Sequence, residues 1–321
     1  MKIEEELRVA ETITRGTSET AISKSGLSKV LDVFKRLVKE KPLGLVGLVI
    51  TLILLFTGIF ADWLAPYGMN EMTGDFLTPP SAGHLLGTDN IGRDLLTRII
   101  YGARVSVIVG LCASGLCQLV GTLIGMVSGY VGGKVDLFVQ RFVDAVFCFP
   151  SLILVMVISS MVGPGLWNLI FVIGITWGVI TSRIARSATI AVKENMYVQA
   201  VVSLGGSSWR VLTQHILPNI FPIIIVQFSV QLPAIILTEA SLSFLGFGIT
   251  PPTPSWGGML SLGGRAYMFM APWMAIWPGV ALAIVVYGIN MFGDALRDIL
   301  DPRLKGTGGR YGARARKKPR E

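Results

Sequence analysis

Long stretches without a charged residue constrain this chain more than any other feature. Val105–Tyr130 and Ala145–Ser182 contain no Asp, Glu, Lys or Arg. About 20 such residues let a helix cross a bilayer, where each segment must satisfy its own backbone hydrogen bonds. Leu43–Phe60, Ile216–Thr238 and Pro272–Gly293 are further runs of this kind. Ala145–Ser182 is too long for one helix, and Gly163-Pro164-Gly165 divides it in two, so six spans are expected. Trp63 and Tyr67 after the first span, and Trp273 and Trp277 at the start of the last, suit the membrane–water boundary. With 52% hydrophobic and 15% charged residues, the chain reads as an all-α integral membrane protein rather than a soluble domain.

Lys and Arg orient the spans. With the N-terminus in the cytoplasm, six crossings return the C-terminus there. Only Arg93, Arg98, Arg104 and Arg265 of the 28 basic residues then fall outside or at the outer boundary. The inverted topology reverses that ratio, so the positive-inside rule selects the first. The expected layout is a cytoplasmic tail over 1–41, a membrane domain over 42–300 and a basic cytoplasmic tail over 301–321. Within the domain an external segment covers about 64–100 and a cytoplasmic loop about 183–218. The first span reads as an uncleaved anchor. The run Arg314-Ala-Arg-Lys-Lys-Pro-Arg320 suits anionic lipid better than nucleic acid, and no nucleic-acid partner is expected.

Catalytic chemistry is hard to find. His84 falls outside and His215 inside, so they cannot share a metal site, and no metal is expected. Ser128 in GMVSGY has no histidine at its depth; glycine and serine there suit close helix approach. Gly133-Lys134 lacks the rest of a phosphate-binding loop, so neither a catalytic residue nor a cofactor is expected in this chain. Cys112, Cys117 and Cys148 all fall inside expected spans and suit packing, without a disulfide framework. Ionisable groups near the membrane are costly and point by default to a path or gate. Glu239, near the outer end of the fifth span, and Arg141 with Asp144, three apart on one helix face, are the candidates. Each also suits a purely structural role. Asp294, Arg297, Asp298, Asp301 and Arg303 read as a charged cytoplasmic exit.

A loop between spans needs few residues, yet Lys193–Asn219 spends more than twenty on a polar, glycine-broken segment. Tyr197, Val201 and Leu204 recur at helical spacing. Gly205-Gly206 then stops the helix, because glycine takes the left-handed conformation that ends one. Ser207 or Ser208 caps a second helix that meets Pro218 as the chain re-enters the membrane. Such an element offers a docking place on the cytoplasmic surface; an interfacial helix pair without a partner is the alternative.

This segment resembles the E-A-A---G---------I-L-P loop of ABC importer permeases. Gln199-Ala200-Val201 stands at Glu-Ala-Ala, Gly205 at the glycine, and Ile216-Leu217-Pro218-Asn219 at the ending. His84–Asp94 with Tyr101–Arg104, Phe149-Pro150-Ser151, Glu239–Gly248, Pro251–Gly257, Gly293–Asp298 and Leu300–Leu304 narrow the likeness to the C-type permease of the dipeptide/oligopeptide/nickel branch. The resemblance covers about residues 40–305. It implies a type I importer permease with a coupling helix carrying Gln199, Ala200, Val201, Leu204, Gly205, Gly206 and Ser207. It departs at Gln199, which lacks the usual charge, and at Val201, which is bulkier than alanine.

The resemblance also implies partners: a second, related permease, two cytoplasmic ATPases that hold ATP and Mg, and an external solute-binding protein. His84–Arg98 and Gly246–Gly264 are the expected contacts for that protein, with His84, Asp89, Arg93 and Trp256 as candidate residues, or else a structural cover over the outer mouth. Peptides are the expected substrate, with nickel chelates, opines and oligosaccharides as alternatives. An ion-coupled secondary transporter is the rival of another class, since prolines at 218, 222, 233, 272 and 278 suit broken helices.

Overall fold

The structure, a computed structural model, describes residues 37–300. The tail over 301–321, with Asp301, Arg303 and the basic run, lies outside the described residues, as does most of the tail over 1–41. The chain divides at Pro42 into a short N-terminal unit and the helical body that follows.

Five helices are long and apolar enough to cross a membrane. They are α1 (Pro42–Ile59), α3 (Leu95–Val131), α6 (Leu166–Lys193), α8 (Ser208–Phe244) and α10 (Trp273–Leu300). Shorter helices join them: α2 (Ala61–Leu64), α4 (Gly133–Phe147), α5 (Ser151–Val162), α7 (Met196–Ser203) and α9 (256–267). No strand forms among the described residues; Thr88 and Asp94 make an isolated bridge.

The expected third span takes a different form. The division at Gly163-Pro164-Gly165 is present, but the uncharged run from Ala145 is shared by two helices. They meet at a 90° bend over Cys148-Phe149-Pro150. Proline has no N–H for a helix interior, and the residue before it avoids the helical region. Hydropathy counts the run as one segment; proline chemistry bends it. Cys148 therefore sits at the bend of this pair, and the pair taken together is the sixth candidate span. The helix α5 has 12 residues, about 18 Å at 1.5 Å per residue. By contrast Pro222, Pro233 and Pro278 lie inside α8 and α10 without ending them.

The helices α3 and α6 form the spine. Gly121, Gly125 and Gly129 recur every fourth residue on α3, and Gly174 and Gly178 do so on α6. A methyl on Gly125 would meet Ala185 Cβ at 2.7 Å, and one on Gly178 would meet Val120 Cβ at 2.7 Å. Without a hydrophobic drive between helices in lipid, such small residues let backbones approach and gain dispersion contact. Beside the stripe, Val109, Ala113, Cys117, Ile173 and Ile235 are fully buried. A second core joins Leu54, Leu95, Ile236, Trp256 and Ile289. Ser128 does more than permit approach: its hydroxyl donates to Asp136 at 2.6 Å.

Gly125→Ala should destabilise the purified protein by ~1–3 kcal/mol through overpacking, read as a lower thermal midpoint in detergent. Gly115→Ala on the same helix, with nothing within 4 Å, should leave the midpoint unchanged or raise it. Equal midpoints for the two variants would refute the close α3–α6 approach.

Candidate functional site

The 37 residues of α3 extend about 55 Å and carry a different assembly at each end: an elbow near Tyr130 and a cap around Leu95.

At the elbow, α7 ends by hydrogen bonding. Gly205 N–H donates to Val202 O at 3.0 Å and Gly206 N–H to Val201 O at 3.0 Å, with Gly205 at φ +81°. This pairing is the Schellman motif, and the left-handed residue it requires is why glycine stands there. The Ser207 side chain then caps the next helix, accepting from Arg210 N at 3.4 Å. That helix does not stop at Pro218. It runs on as α8, through a π turn over Val211–Ile216, into the long apolar helix. The expected short second helix is thus the first part of α8. Pro218 in the first turn after the π segment lacks the N–H that an α register would use, and a wider turn absorbs the difference.

Burial sorts the elbow side chains differently from their spacing. Val198, Val211, Ile216 and Ile220 are buried with Met126, while Val201 and Leu217 pack at the edge of that cluster. Leu204, at helical spacing from Tyr197 and Val201, is 88% exposed. With Met196, Val202 and Trp209, also exposed, it makes the turn apolar on its outer side. Gln199 and Ala200 are exposed as well, and the Gln199 amide donates to Glu194 O at 3.1 Å. Tyr197 and His215 hold α7 against α8, ring centroids 6.4 Å apart.

Ion pairs brace this end. Arg186 Nε donates to Asp136 Oδ1 at 2.6 Å, and Lys193 Nζ donates to Tyr130 O at 2.6 Å. Asp144 contacts Arg141 at 3.6 Å, as the spacing allowed, but its closer partner is Arg183 on α6. Spacing within one helix could not reveal a partner 39 positions away.

At the other end, residues 65–94 fold into a cap through backbone bonds such as Thr73 N to Gly92 O at 2.8 Å and Asp89 N to Arg93 O at 2.9 Å. His84 is buried, its Nδ1 at 3.0 Å from Asp94 Oδ1. Asp94 also caps α3, accepting from Thr97 N at 2.8 Å. Asp89 accepts from Ile91 N at 3.0 Å and Arg93 N at 2.9 Å, and Arg93 Nε lies 2.7 Å from its other oxygen. Trp256 fills the space above Gly102 and donates to Ile99 O at 3.1 Å. His84, Asp89 and Trp256, read from sequence as contact candidates, are therefore internal struts, and Arg93 is mostly buried. Trp273 joins them, donating to Thr88 O at 3.2 Å. On the flank, the Arg104 guanidinium and the Tyr101 hydroxyl hold the Asp62 carboxyl below its ordinary value.

Of the two readings of Glu239, path or structural, its burial fits the structural one. It is 1% exposed, accepts from the Ser243 hydroxyl at 2.7 Å, and Ser243 accepts from Ile249 N at 3.1 Å. Helical spacing hinted at the i, i+4 pair. Among the described residues, no cluster of three or more His, Cys, Asp or Glu is placed to hold a metal ion.

Comparison with known proteins matches this architecture. Residues 121–306 match the family described as binding-protein-dependent transport system inner membrane component, and residues 30–80 match the N-terminal TM domain of oligopeptide transport permease C. The probable D,D-dipeptide transport system permease protein DdpC of Escherichia coli is 37% identical over 84% of this chain and 91% of its own. The dipeptide transport system permease protein DppC of Alkalihalophilus pseudofirmus is 40% identical over 85% and 90%. The glutathione transport system permease protein GsiD of Pectobacterium atrosepticum is 36% identical over 85% and 91%. These likenesses displace the ion-coupled transporter, and the chain belongs to the binding-protein-dependent inner-membrane components, the permeases of ABC importers.

Proposed function

We propose that this chain is one of two related permeases in an importer of short peptides. It carries no ATP-hydrolysing or other catalytic centre of its own. Two cytoplasmic ATPases hold ATP and Mg, and an external solute-binding protein delivers the substrate. The relatives are named for dipeptide, D,D-dipeptide and glutathione transport; a peptide substrate is the simplest common reading, and it is favoured over nickel chelates or oligosaccharides.

The observation that carries the coupling role is the exposed apolar turn around Leu204, held by a buried anchor at Val198. A surface that exposes leucine, methionine and tryptophan on a rigid turn suits a cleft that covers them. Because α8 runs unbroken from Ser208 to Phe244, displacement of the turn moves a membrane helix directly. ATP-driven closure of the ATPases thus favours one of two arrangements of the spans. Gln199 lacks the charge usual at its position, which an apolar fit replaces, since an exposed ion pair contributes only ~0–1 kcal/mol.

Orientation follows from the basic residues: elbow and both termini in the cytoplasm, cap outside. The external protein then meets exposed groups on that side, among them Phe76 and Leu85 of the cap and Phe269 just before α10, rather than the buried struts.

Two experiments test this reading. Leu204→Asp should leave thermal stability unchanged yet lower ATP hydrolysis stimulated by the binding protein about tenfold or more, the scale set by losing one buried leucine at an interface; unimpaired stimulation would remove Leu204 from the coupling surface. In a background lacking Cys112, Cys117 and Cys148, Leu204→Cys should react with an impermeant thiol reagent only in inside-out vesicles. Phe269→Cys should react only in intact spheroplasts, and the reverse pattern would invert the topology.

A further inference from the structure

A cleft beside the cap is lined by Asp89, Arg93 and Arg98 together with Ile249, Ser255 and Met259. Arg98 is 6% exposed, yet its Nη1 has no hydrogen-bond partner among the described residues. Among the described residues the one carboxylate that pairs with it, Asp89, is already engaged. Asp89 accepts two backbone N–H groups and Arg93 Nε, leaving Arg98 Nε 3.7 Å away. Asp94, one turn earlier on the chain, is bound to His84 and Thr97. Two guanidiniums thus share one available carboxylate.

A buried guanidinium is stable when a planar anion meets its fork of N–H donors. The space is about 60 Å³, against ~10–15 Å³ for one water on the same measure. It accommodates a carboxylate with the group that carries it, and the apolar wall from Ile249 and Met259 suits that carrier. We infer that the cleft is a carboxylate-binding site in which Arg98 receives the anion and Arg93, fixed by Asp89, flanks it. The inference deepens the importer reading and rests on it, since that reading turns the cleft to the exterior. There a carboxylate arrives from two sources: the C-terminus of a peptide, or an acidic side chain of the docked external protein.

The test uses the complete transporter in lipid nanodiscs. Glycylglycine and glycylglycinamide are titrated separately, with the fluorescence of Trp256 and Trp273 as readout. A peptide source predicts that the free acid binds at least tenfold tighter than the amide. Arg98→Gln should abolish that preference and Arg98→Lys should retain part of it. A protein source predicts no such preference. Instead, docking of the external protein weakens at least tenfold in Arg98→Gln, and the unmodified complex loses affinity as salt rises. Where Arg98→Gln does not assemble, Arg98→Lys and acetate competition against docking in the unmodified complex decide the second arm. The inference is overturned if acid and amide bind alike, docking changes less than twofold and acetate does not compete. Stimulation of ATP hydrolysis by the external protein is measured in the same samples; if it persists, the importer reading stands and the cleft assignment alone fails.

Discussion

Contact between α3 and α6 supports everything else in this molecule. Gly121, Gly125 and Gly129 bring α3 so near α6 that no side chain fits between them. In lipid, helices gain nothing from leaving water, so close backbone packing and a few polar bonds must hold them together. The Ser128–Asp136–Arg186 group closes the same pair at the elbow end. The cap rests on the opposite end of α3, where Asp94 serves both as helix cap and as partner of His84.

That spine makes the two ends mechanically continuous. The elbow is fastened through Val198, Val211, Ile216 and Ile220 to Met126 of α3, while Trp256 is seated on Gly102 of the same helix. On the proposed importer reading, a push at the Leu204 turn passes along α8, whose far part holds Ile235 and Ile236 in the cores next to α3 and the cap. Packed interiors resist gradual deformation, so such a push favours a switch between discrete arrangements.

Much of the elbow was legible along the chain. A left-handed glycine and a capping serine are local requirements, and both stand where the sequence suggests, at Gly205 and Ser207. The exposure of Leu204 could not be read there, because helical spacing says which residues share a face, not whether a neighbour covers it. The α7 helix is eight residues long, too short for periodicity to separate the anchor at Val198 from its exposed neighbours. In the cap the difficulty is different. His84, Asp89 and Trp256 are the polar and aromatic types expected at a contact surface, yet their partners at Asp94, Arg93 and Ile99 make them struts. The bend before Pro150 could be suspected from the proline, but its angle depends on what α4 and α5 pack against.

The sequence by itself determined that helices would cross a membrane, because solvation of the backbone depends on composition over ~20 residues. It also fixed the glycine turn, whose cause lies within six residues. Only the tertiary structure decided that Asp144 turns to Arg183, that Glu239 is enclosed, and that Arg98 is buried with an unmet donor. Those outcomes depend on which distant surfaces meet, and the burial and hydrogen bonding of a side chain are properties of the assembled packing rather than of the residue.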